Sequence, residues 1–481
     1  MLRLNKTLLV IALMFAGLSS KAYDFQKDGI YYNINSDKKT VSVSKPEYSP
    51  YGDPYSGDII IPESVTDNNG KEYTVTAIDH HAFSNCTKVT SITLPNTITK
   101  ILFEAFLDCT GLTSVQLSEG LKEISASAFN NCINLKEINI PSSVENIWAN
   151  FSNCKSLPVI DGIRYADTYL IEVVDTLSTY TIKDGTRWIG TDAFKDCSFI
   201  TNIEFPGGLT EIQGEAFYGC TGLTNIVLPN SVKILKEGVF AECTGLTEIT
   251  IGTDLISITG DYGTFKNCTN LKTINFNAVR CQMEGKGWNS AFIGCNNMET
   301  INIGDSVRTI GKCLFGGYDN GFKIKNIYMG ANVDTIGISA FYHCNFDTMF
   351  MHMANPPVLM DDKSLGTSSH IVVVPCGSAE NYKNAQYYKN YNIIENCSGL
   401  TDINNNISIS VYPNPTKETV TLNLENSTLD KNETVSIINN AGQVVYKSNI
   451  TSQKTNINVS DLESGVYYVK VGEMKKKLII E

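Results

Sequence analysis

The chain has 481 residues, a formal net charge of −12 and an apolar content of 42%, which is ample for a large core. The acidic balance, without a stripe of lysine and arginine, argues against nucleic acid or an anionic membrane surface as the main partner. The composition implies no cofactor.

The first 22 residues have the features of a secretory signal peptide. Arg3 and Lys6 supply a positive end, Leu8–Leu18 is an apolar run, and Ser20–Ala22 is a small-x-small cleavage site. The alternative is a membrane anchor, but this run is short, and no other segment approaches the roughly 18–20 apolar residues that a spanning helix needs. The sequence therefore predicts export, with no transmembrane segment in the mature chain.

Residues 23–75 consist of short runs of alternating apolar and polar residues. Turn signals at Asp28-Gly29 and Asn69-Gly70 separate these runs, as is typical of β-strands joined by tight turns. The first coil of a repeat array needs a cap. We interpret residues 23–75 as an N-terminal β cap of the repeats that follow.

A unit of about 23 residues then fills the middle of the chain. Its pattern is I-x-x-x-A-F-x-x-C-x-x-L-x-x-I-x-I-P-x-x-V, and Cys follows Phe by three residues in ten of eleven copies, Tyr318 replacing it in the other. A fixed period in this range predicts a solenoid. The repeated phenylalanines are Phe83, Phe106, Phe129, Phe151, Phe194, Phe217, Phe240, Phe265, Phe292, Phe315 and Phe341.

Each part of the unit has a physical interpretation. The segment L-x-x-I-x-I alternates as a half-buried strand does, and stacked copies form a continuous parallel sheet. The proline that often follows ends the strand because it cannot donate to a sheet ladder. We expect the A-F-x-x-C segment to form the returning side of each coil as a short helical turn, with Phe filling the interior and Cys buried as a small hydrophobe.

This unit resembles the repeat of the BspA-like family of bacterial leucine-rich-repeat proteins. The resemblance covers residues 76–353 and implies a right-handed leucine-rich-repeat solenoid of about eleven coils, of α/β to mainly β class, displayed on a cell surface for adhesion or binding rather than catalysis. Longer units around Gly260–Gly263 and Arg280–Ser290, and the copy at Phe315, depart from the family pattern. Local bulges or loops are expected at these places.

An island of extra residues, 155–190, interrupts the repeats. The step from Phe151 to Phe194 is 43 residues, and the insert contains alternating strand-like runs with turns at Asp161-Gly162 and Asp184-Gly185. The pattern predicts a β-hairpin and a connecting strand. Such an island either shapes a binding surface or is only an elaborated loop.

After the last repeat, residues 354–400 resemble the terminal cap of BspA-like arrays. Ile371–Val374 has the pattern of a strand, Glu380–Tyr391 has a helical composition, and Ile393-Ile394 closes the segment. Cys376 and Cys397 lie outside the repeat series in a chain that is predicted to be exported, and we predict a disulfide between them.

Residues 401–481 change character and alternate short strands with turns, as in a small β-sandwich. Three motifs occur in order, centred on Pro413-Asn414-Pro415, Gly442 and Gly465–Tyr467, before a lysine run. The segment resembles the C-terminal sorting domain of the type IX secretion system, which implies export across the outer membrane of a Bacteroidetes bacterium, contact with the secretion machinery, and attachment or release at the surface. The alternative is an ordinary immunoglobulin-like adhesion domain.

The sequence contains no catalytic or metal-binding motif. There is no C-x-x-C, H-E-x-x-H, G-x-S-x-G or phosphate-binding glycine motif. We expect the ten repeat cysteines to be buried free thiols, because stacked parallel side chains do not readily meet disulfide geometry. Cys281 and Cys313 lie outside the ladder and could pair. A secreted hydrolase, with a site assembled only in space, is the least favoured function.

The candidate ligand-binding residues lie in the strand segment, between its last two apolar positions. Side chains there point away from the core and form one row down the sheet. The row is small and polar at first and aromatic at its end, where Tyr328 and Phe350 either form a binding hot spot or pack against the cap. The candidates are Gln116, Asn139, Glu204, Thr250, Asn275, Asn302, Tyr328 and Phe350.

The sequence thus predicts a secreted or cell-surface protein without catalytic function. Its repeat face would bind a host or bacterial surface protein, another cell or a glycan. The alternative is a structural component of the surface or of a biofilm, in which self-association matters more than a ligand.

Overall fold

The computed structural model describes residues 23–480 apart from short gaps, and the chain forms two compact units, Met1–Asn396 and Cys397–Glu481. The predicted signal peptide lies outside the described residues. So do Pro413, Asn414, Pro415 and Gly442 of the predicted sorting motifs. The gaps are residues 47–52, 149, 260–261, 285–289, 317–322, 367–369, 398–407, 413–415, 426–433, 440–443, 451, 463 and 472–473.

The first unit is a β-solenoid of about thirteen turns with little helix, as a leucine-rich-repeat solenoid is. Each regular coil has three sides: the strand of the L-x-x-I-x-I segment, a strand of about two residues after the following turn, and an arc of turns that carries A-F-x-x-C. We call these the motif-strand side, the short-strand side and the turn arc. The predicted solenoid is confirmed, and its core lies between the three sides.

The motif-strand side is parallel and in register, because successive copies of one sequence place equivalent residues opposite each other. It forms sheets of four, two and eight strands. Its strands are β4 (Gly57–Ile60), β7 (Val89–Thr93), β9 (Ser114–Gln116) and β11 (Glu137–Asn139), then β16 (Thr179–Thr181) and β18 (Asn202–Glu204), then β20 (Asn225–Val227), β22 (Glu248–Ile251), β24 (Thr273–Phe276), β26 (Thr300–Ile303), β28 (Lys323–Met329), β30 (Asn345–Met351), β32 (Ile371–Pro375) and β33 (Asn392–Asn396).

The short-strand side forms one sheet of eight strands and one of eleven. The first contains β1 (Phe25–Lys27), β2 (Ile30–Ile34), β3 (Thr40–Ser44), β5 (Ser64–Thr66), β6 (Glu72–Ile78), β8 (Lys100–Ile101), β10 (Glu123–Ile124) and β12 (Asn146–Ile147). The second contains β13 (Val159–Ile160), β14 (Ile163–Ala166), β15 (Tyr169–Val173), β17 (Trp188–Ile189), β19 (Glu211–Ile212), β21 (Ile234–Leu235), β23 (Ser257–Thr259), β25 (Arg280–Glu284), β27 (Thr309–Ile310), β29 (Thr335–Ile336) and β31 (Val358–Leu359).

The turn arc is not the short helical turn that the sequence predicts. In the regular coils, residues two before and two after the phenylalanine have positive φ, as Glu104 (55°) and Asp108 (59°) do around Phe106. A right-handed helix cannot contain such residues. The alternation instead lets the Phe106 amide donate to the Ala128 carbonyl of the next coil at 2.7 Å. Backbone hydrogen bonds therefore join the coils on this side as well.

The phenylalanines stack through the interior of the solenoid. Neighbouring rings lie 4.8–5.7 Å apart between centroids, as the Phe217 ring does at 5.2 Å from Phe240 with an angle of 5°. The stack is broken only at the island, where Tyr169 packs on Phe151 and Tyr180 on Phe194. Two tyrosines therefore close the ends of the two phenylalanine columns.

The repeat cysteines are free, as predicted, and all of them except the partly exposed Cys197 are buried, also as predicted. The Cys243 thiol donates to the Phe217 carbonyl of the preceding coil at 3.0 Å, and the same contact recurs in eight of the ten copies. The exceptions are Cys86 and Cys197, which begin the two stacks. Cys281 and Cys313 are also free, so the structure does not pair them.

The island forms the predicted antiparallel strands but with one turn that the sequence did not indicate. β13 and β14 meet at Asp161-Gly162, and β14 and β15 form a hairpin across Asp167 and Thr168. β15 then pairs in parallel with β17, so the insert rejoins the short-strand side. The island contributes side chains to both hydrophobic clusters of the unit, one from Phe25 to Trp188 and one from Ile163 to Tyr391.

The number of turns exceeds the eleven motif copies because the flanking segments join the same sheets. β3 and β6 pair before β8, β4 pairs with β7, and β32 and β33 extend the last sheet. A short helix, α1 (Ala379–Asn384), and a 3-10 helix (Tyr388–Asn390) follow β32. The helical expectation for Glu380–Tyr391 thus holds only in part.

Tyrosine hydroxyls hold this terminal segment to the last repeats. The Tyr382 and Tyr388 hydroxyls donate to the Met353 and Pro357 carbonyls, at 2.8 and 3.0 Å.

Cys376 and Cys397, for which the sequence predicts a disulfide, are both disulfide-bonded. The domain boundaries themselves remain a prediction.

The second unit contains two antiparallel sheets around a core of its own. We describe it as a two-sheet β unit, since an immunoglobulin-like topology is not confirmed. The sheets contain β34 (Ser408–Tyr412), β35 (Thr419–Glu425) and β38 (Lys454–Asn458), and β37 (Val444–Asn449), β36 (Thr434–Asn439), β39 (Gly465–Val471) and β40 (Met474–Ile480). Gly465 and Tyr467 of the predicted sorting motif lie at the start of β39.

Candidate functional site

Five of the eight candidate residues occupy one register row on the outer face of the motif-strand side. Within the eight-stranded sheet, Thr250 pairs with Asn275, Asn275 with Asn302, Asn302 with Tyr328, and Tyr328 with Phe350. The flanking residues Ile249 and Ile251 are fully buried, so the residue between them must point outward. The structure therefore brings these five predicted residues into one continuous row.

The polar part of this row is a chain of hydrogen bonds. Asn302 Nδ2 donates to Asn275 Oδ1 at 2.8 Å, and Asn275 Nδ2 donates to Glu248 Oε1 at 2.7 Å and to Thr250 Oγ1 at 3.2 Å. Each amide is oriented by its neighbour in the adjoining coil. This part of the face is consequently a pre-organised polar surface rather than a set of mobile side chains.

The end of the row is aromatic and then aliphatic. The Tyr328 and Phe350 rings stack 4.9 Å apart with an angle of 9°. Register continues the row from Phe350 to Val373 and from Val373 to Ile394, which is 43% exposed. Val373 and Ile394 were missed from the sequence because β32 and β33 lie beyond the repeat motif. We call Tyr328, Phe350, Val373 and Ile394 the apolar strip.

A row of charges lies at the beginning of β24, β26 and β28, and of these three strands β28 carries the strip residue Tyr328. The Lys325 ammonium lies 2.7 Å from Glu299, and the Lys272 ammonium lies 3.8 Å from the same carboxyl. The hydrogen bond and the positive charge of Lys325 hold the pKa of Glu299 below its usual value. The carboxyl therefore stays charged in mildly acidic solution, and the row offers a fixed pattern of charge that reaches the strip at β28.

Three of the predicted residues lie apart from the strip. Gln116 and Asn139 are paired with each other in the four-stranded sheet, and Glu204 lies in the two-stranded sheet, where it accepts from Thr181 Oγ1 at 3.2 Å. All three side chains are exposed. The interruptions of the motif-strand side thus divide the eight candidates among three sheets.

The described residues offer little that could hold a metal ion. The one group of potential ligands found among them is Cys376, Glu395 and Cys397, and both of its cysteines are disulfide-bonded. A disulfide sulfur has no thiolate to donate to a metal. Burial also raises the pKa of the Cys243 thiol to about 12, so this thiol is protonated at neutral pH and is a poor nucleophile and metal ligand.

No described helix is both long enough and apolar enough to pass through a membrane.

The fold and the face define a repeat-solenoid protein that carries a separate C-terminal β unit. The family model "BspA type Leucine rich repeat region" matches in six copies at residues 76–169, 169–282 and 286–356, more than half of the chain. The model "Secretion system C-terminal sorting domain" matches residues 410–481. The chain belongs to the BspA-type leucine-rich-repeat proteins, and it is an exported protein of the cell surface or the extracellular space.

Several solved structures are similar to this chain. A leucine-rich repeat protein from Bacteroides ovatus ATCC 8483 is 23% identical, with 78% of this chain and 100% of that chain covered and a TM-score of 0.31. A leucine rich cell surface protein from Faecalibacterium prausnitzii A2-165 is 21% identical, with 79% and 97% covered and a TM-score of 0.31. A leucine-rich repeat protein from Bacteroides capillosus ATCC 29799 is 36% identical, with 28% and 93% covered and a TM-score of 0.24. No curated protein matches significantly.

Proposed function

We propose that this exported protein is a binding protein that holds a partner on the outer face of its eight-stranded sheet. The observation that carries the proposal is the apolar strip, because two stacked aromatic side chains and two aliphatic ones follow the hydrogen-bonded polar residues Thr250, Asn275 and Asn302 in the row. Val227, at the other end of the row, is a single exposed aliphatic residue. Aromatic residues that lie on a rigid surface are favoured anchors of binding interfaces. The rigid sheet gives them fixed positions before a partner arrives, which reduces the entropy cost of binding.

The alternative that Tyr328 and Phe350 only pack against the terminal cap is less favoured by their surroundings. Both side chains remain partly exposed, and their register neighbour on the cap side is Val373, itself partly exposed on the same face. Ile394 and Ile371 are 43% and 36% exposed. The strip therefore continues outward across the cap strands instead of ending beneath them.

The arrangement of the rings favours a protein partner over a carbohydrate. Each ring of the pair is covered on one face by the other ring, and register places Asn302 and Val373 beyond the pair. Sugar rings bind to the open face of an aromatic side chain, whereas this pair presents ring edges. Ring edges and aliphatic side chains complement apolar side chains of another polypeptide, and the alternating charges of the neighbouring row give that contact a preferred orientation.

The test compares the full mature chain with two double variants on arrays of surface proteins and of glycans. Tyr328→Ala with Phe350→Ala removes the aromatic pair, and Gln116→Ala with Asn139→Ala makes an equal number of truncations on the separate four-stranded sheet. We expect saturable binding to a protein that the first variant weakens by at least about tenfold, the effect of losing about 1.4 kcal/mol, and that the second leaves unchanged.

Two results would contradict the proposal. Binding that survives the aromatic double variant, with both variants folded by circular dichroism, would place the site elsewhere. Binding to glycans alone would show that the partner class is wrong even if the face is right.

A further inference from the structure

Among the described residues of the second unit, one sheet edge has no strand paired to it. β37 is the outermost strand of its four-stranded sheet, and among the described strands it pairs with β36 alone. Every second residue of an edge strand presents its backbone N–H and C=O groups away from the sheet, which makes such a strand a template for pairing with another chain. At the opposite end of this sheet one position of the edge is occupied, because the Thr416 amide donates to the Ile479 carbonyl of β40 at 3.0 Å.

This edge is apolar at its beginning. Val444 is 57% and Val445 is 39% exposed, and they are the two exposed large aliphatic side chains among the described residues of this unit. The strand is six residues long and contains no proline. β38, which ends the other sheet, is by contrast polar, with the sequence Lys-Thr-Asn-Ile-Asn and its one isoleucine buried. β37 is thus long enough to pair and has no proline, while Lys447 and the register shift beside Val445 are features that limit pairing with unselected chains.

A positive row begins on the same strand. Lys447 is in register with Ser436, Ser436 with Lys470, and Lys470 with Lys475, so three ammonium groups lie along one row of the sheet. The Lys475 ammonium lies 4.0 Å from the centroid of the Tyr468 ring. A strand that is added beside β37 would bring its own side chain next to Lys447. A carboxylate at that position would be attracted by the row and a lysine would be repelled.

A second copy of this chain does not satisfy these requirements. A symmetric antiparallel pair of β37 strands must centre on one residue position, because directly opposed side chains point to the same face. Centred on Tyr446, the pair would place Val444 opposite Ser448 and Val445 opposite Lys447. Centred on Lys447, it would bring the two Lys447 side chains directly together. Since directly opposed residues determine the stability of a strand pair, a different polypeptide fits the edge better.

We propose that β37 binds an extended segment of another protein by strand addition, with aliphatic residues opposite Val444 and Val445 and an acidic residue opposite Lys447. Backbone hydrogen bonds would supply affinity and the side chains would supply specificity, as in other complexes of this kind. The site lies on the C-terminal unit and is independent of the binding face proposed for the repeats.

The test uses the full mature chain and a labelled peptide, Ser-Thr-Thr-Glu-Thr-Val-Val-Ser, written to pair antiparallel with β37. A second peptide carries Lys in place of Glu. We expect saturable binding of the Glu peptide in fluorescence anisotropy, weakened about tenfold by Lys447→Glu, as for a close charge pair, and restored when Lys447→Glu meets the Lys peptide. Lys454→Glu makes the same change on an exposed residue of β38 and should have no effect.

Hydrogen exchange provides a second readout that does not depend on charge. The Glu peptide should slow exchange of the β37 amides and not those of β38, and Val445→Lys, a change on an exposed residue, should abolish this protection. Absence of saturable binding, or equal binding of both peptides by all variants, would overturn the proposal. So would protection that appears on another strand.

Discussion

The interior column and the outer row of the same solenoid follow opposite rules. In the column, nearly every coil has the same two residues, a phenylalanine that stacks on the next one and a cysteine whose thiol donates to the preceding coil. In the outer row, neighbouring coils place Thr250, Asn275, Asn302, Tyr328 and Phe350 at one equivalent position.

The difference follows from what each position contacts. A column residue contacts copies of itself, so any change must fit both neighbours in a close-packed interior. A row residue contacts solvent on one side and is constrained only by the residue beside it. Repetition therefore maintains the fold, whereas variation between coils provides the surface on which a partner could be recognised.

The comparison is tested most strongly by truncating one phenylalanine in the interior column and one in the outer row, and by comparing the free energies of unfolding. Phe217→Ala should destabilise the chain by about 3–5 kcal/mol, because it leaves a cavity in the stack between Phe194 and Phe240. Phe350→Ala, on the half-buried outer row, should cost less than half as much. Urea unfolding followed by circular dichroism measures both, and equal losses would show that the outer row is as structural as the column.

Removing a repeat thiol should lower the free energy of unfolding by less than removing a phenylalanine of the column. Cys243→Ala removes a buried group and its hydrogen bond to the Phe217 carbonyl, which we expect to cost about 1–2 kcal/mol. Cys197 begins a stack, is only half-buried and contacts its own turn at 3.7 Å, so Cys197→Ala should cost about 0.5 kcal/mol or less. Chemical denaturation of the two variants in reducing buffer compares them directly.

The buried thiols also predict a loss of stability in alkali. Burial raises the pKa of Cys243 from 9.0 to about 12, so the folded state keeps a proton that the unfolded state releases. The stabilising effect is complete below pH 9 and is lost as the pH rises towards 12. Between pH 8 and about 9.5, the wild type should lose about 1 kcal/mol more than Cys243→Ala, from this thiol alone. Identical pH profiles would contradict this assignment.

Glu211 is a buried exception to the apolar interior, and its removal should give a small effect of the opposite sign. Burial raises its pKa, with Lys236 at 3.8 Å offsetting part of that shift, and Oε1 has no hydrogen-bond partner. Burial of the charged carboxylate therefore destabilises the folded state by its full amount when the pH is above the folded-state pKa. It has no effect on stability when the pH is below the pKa of the unfolded state.

Glu211→Gln should accordingly stabilise the chain at pH 7, by about 1 kcal/mol or less. This gain should disappear as the pH falls through the folded-state pKa towards pH 4. Thermal unfolding of both proteins across this range provides the measurement. A gain that persisted at pH 4 would point to packing rather than charge.

The repeat made most of the first unit predictable, because one motif copied in register leaves few alternatives for a strand such as β24. The turn arc was misjudged because A-F-x-x-C suggests a helical turn when it is considered alone. The positive φ of residues such as Asp108 and Asn131 had a sequence signal, since asparagine, aspartate or glycine usually follows the phenylalanine by two residues.

The candidate site was predictable only as far as the motif extends. Tyr328 and Phe350 follow from the repeat, whereas Val373 and Ile394 belong to strands whose register comes from packing against the last coils. The separation of Glu204 from Thr250 has no local signal, because it depends on how the sheets are interrupted. The binding role of the face stays a prediction.

The island affects how the solenoid unfolds when it is pulled. It supplies Tyr169 and Trp188 to one hydrophobic cluster and Tyr180 and Ile189 to the other. In repeat proteins, stability is carried by contacts between neighbours, so the island is the joint where each half of the solenoid ends. The solenoid, pulled from its two ends, should therefore lengthen in two separate steps, one half remaining folded while the other unfolds.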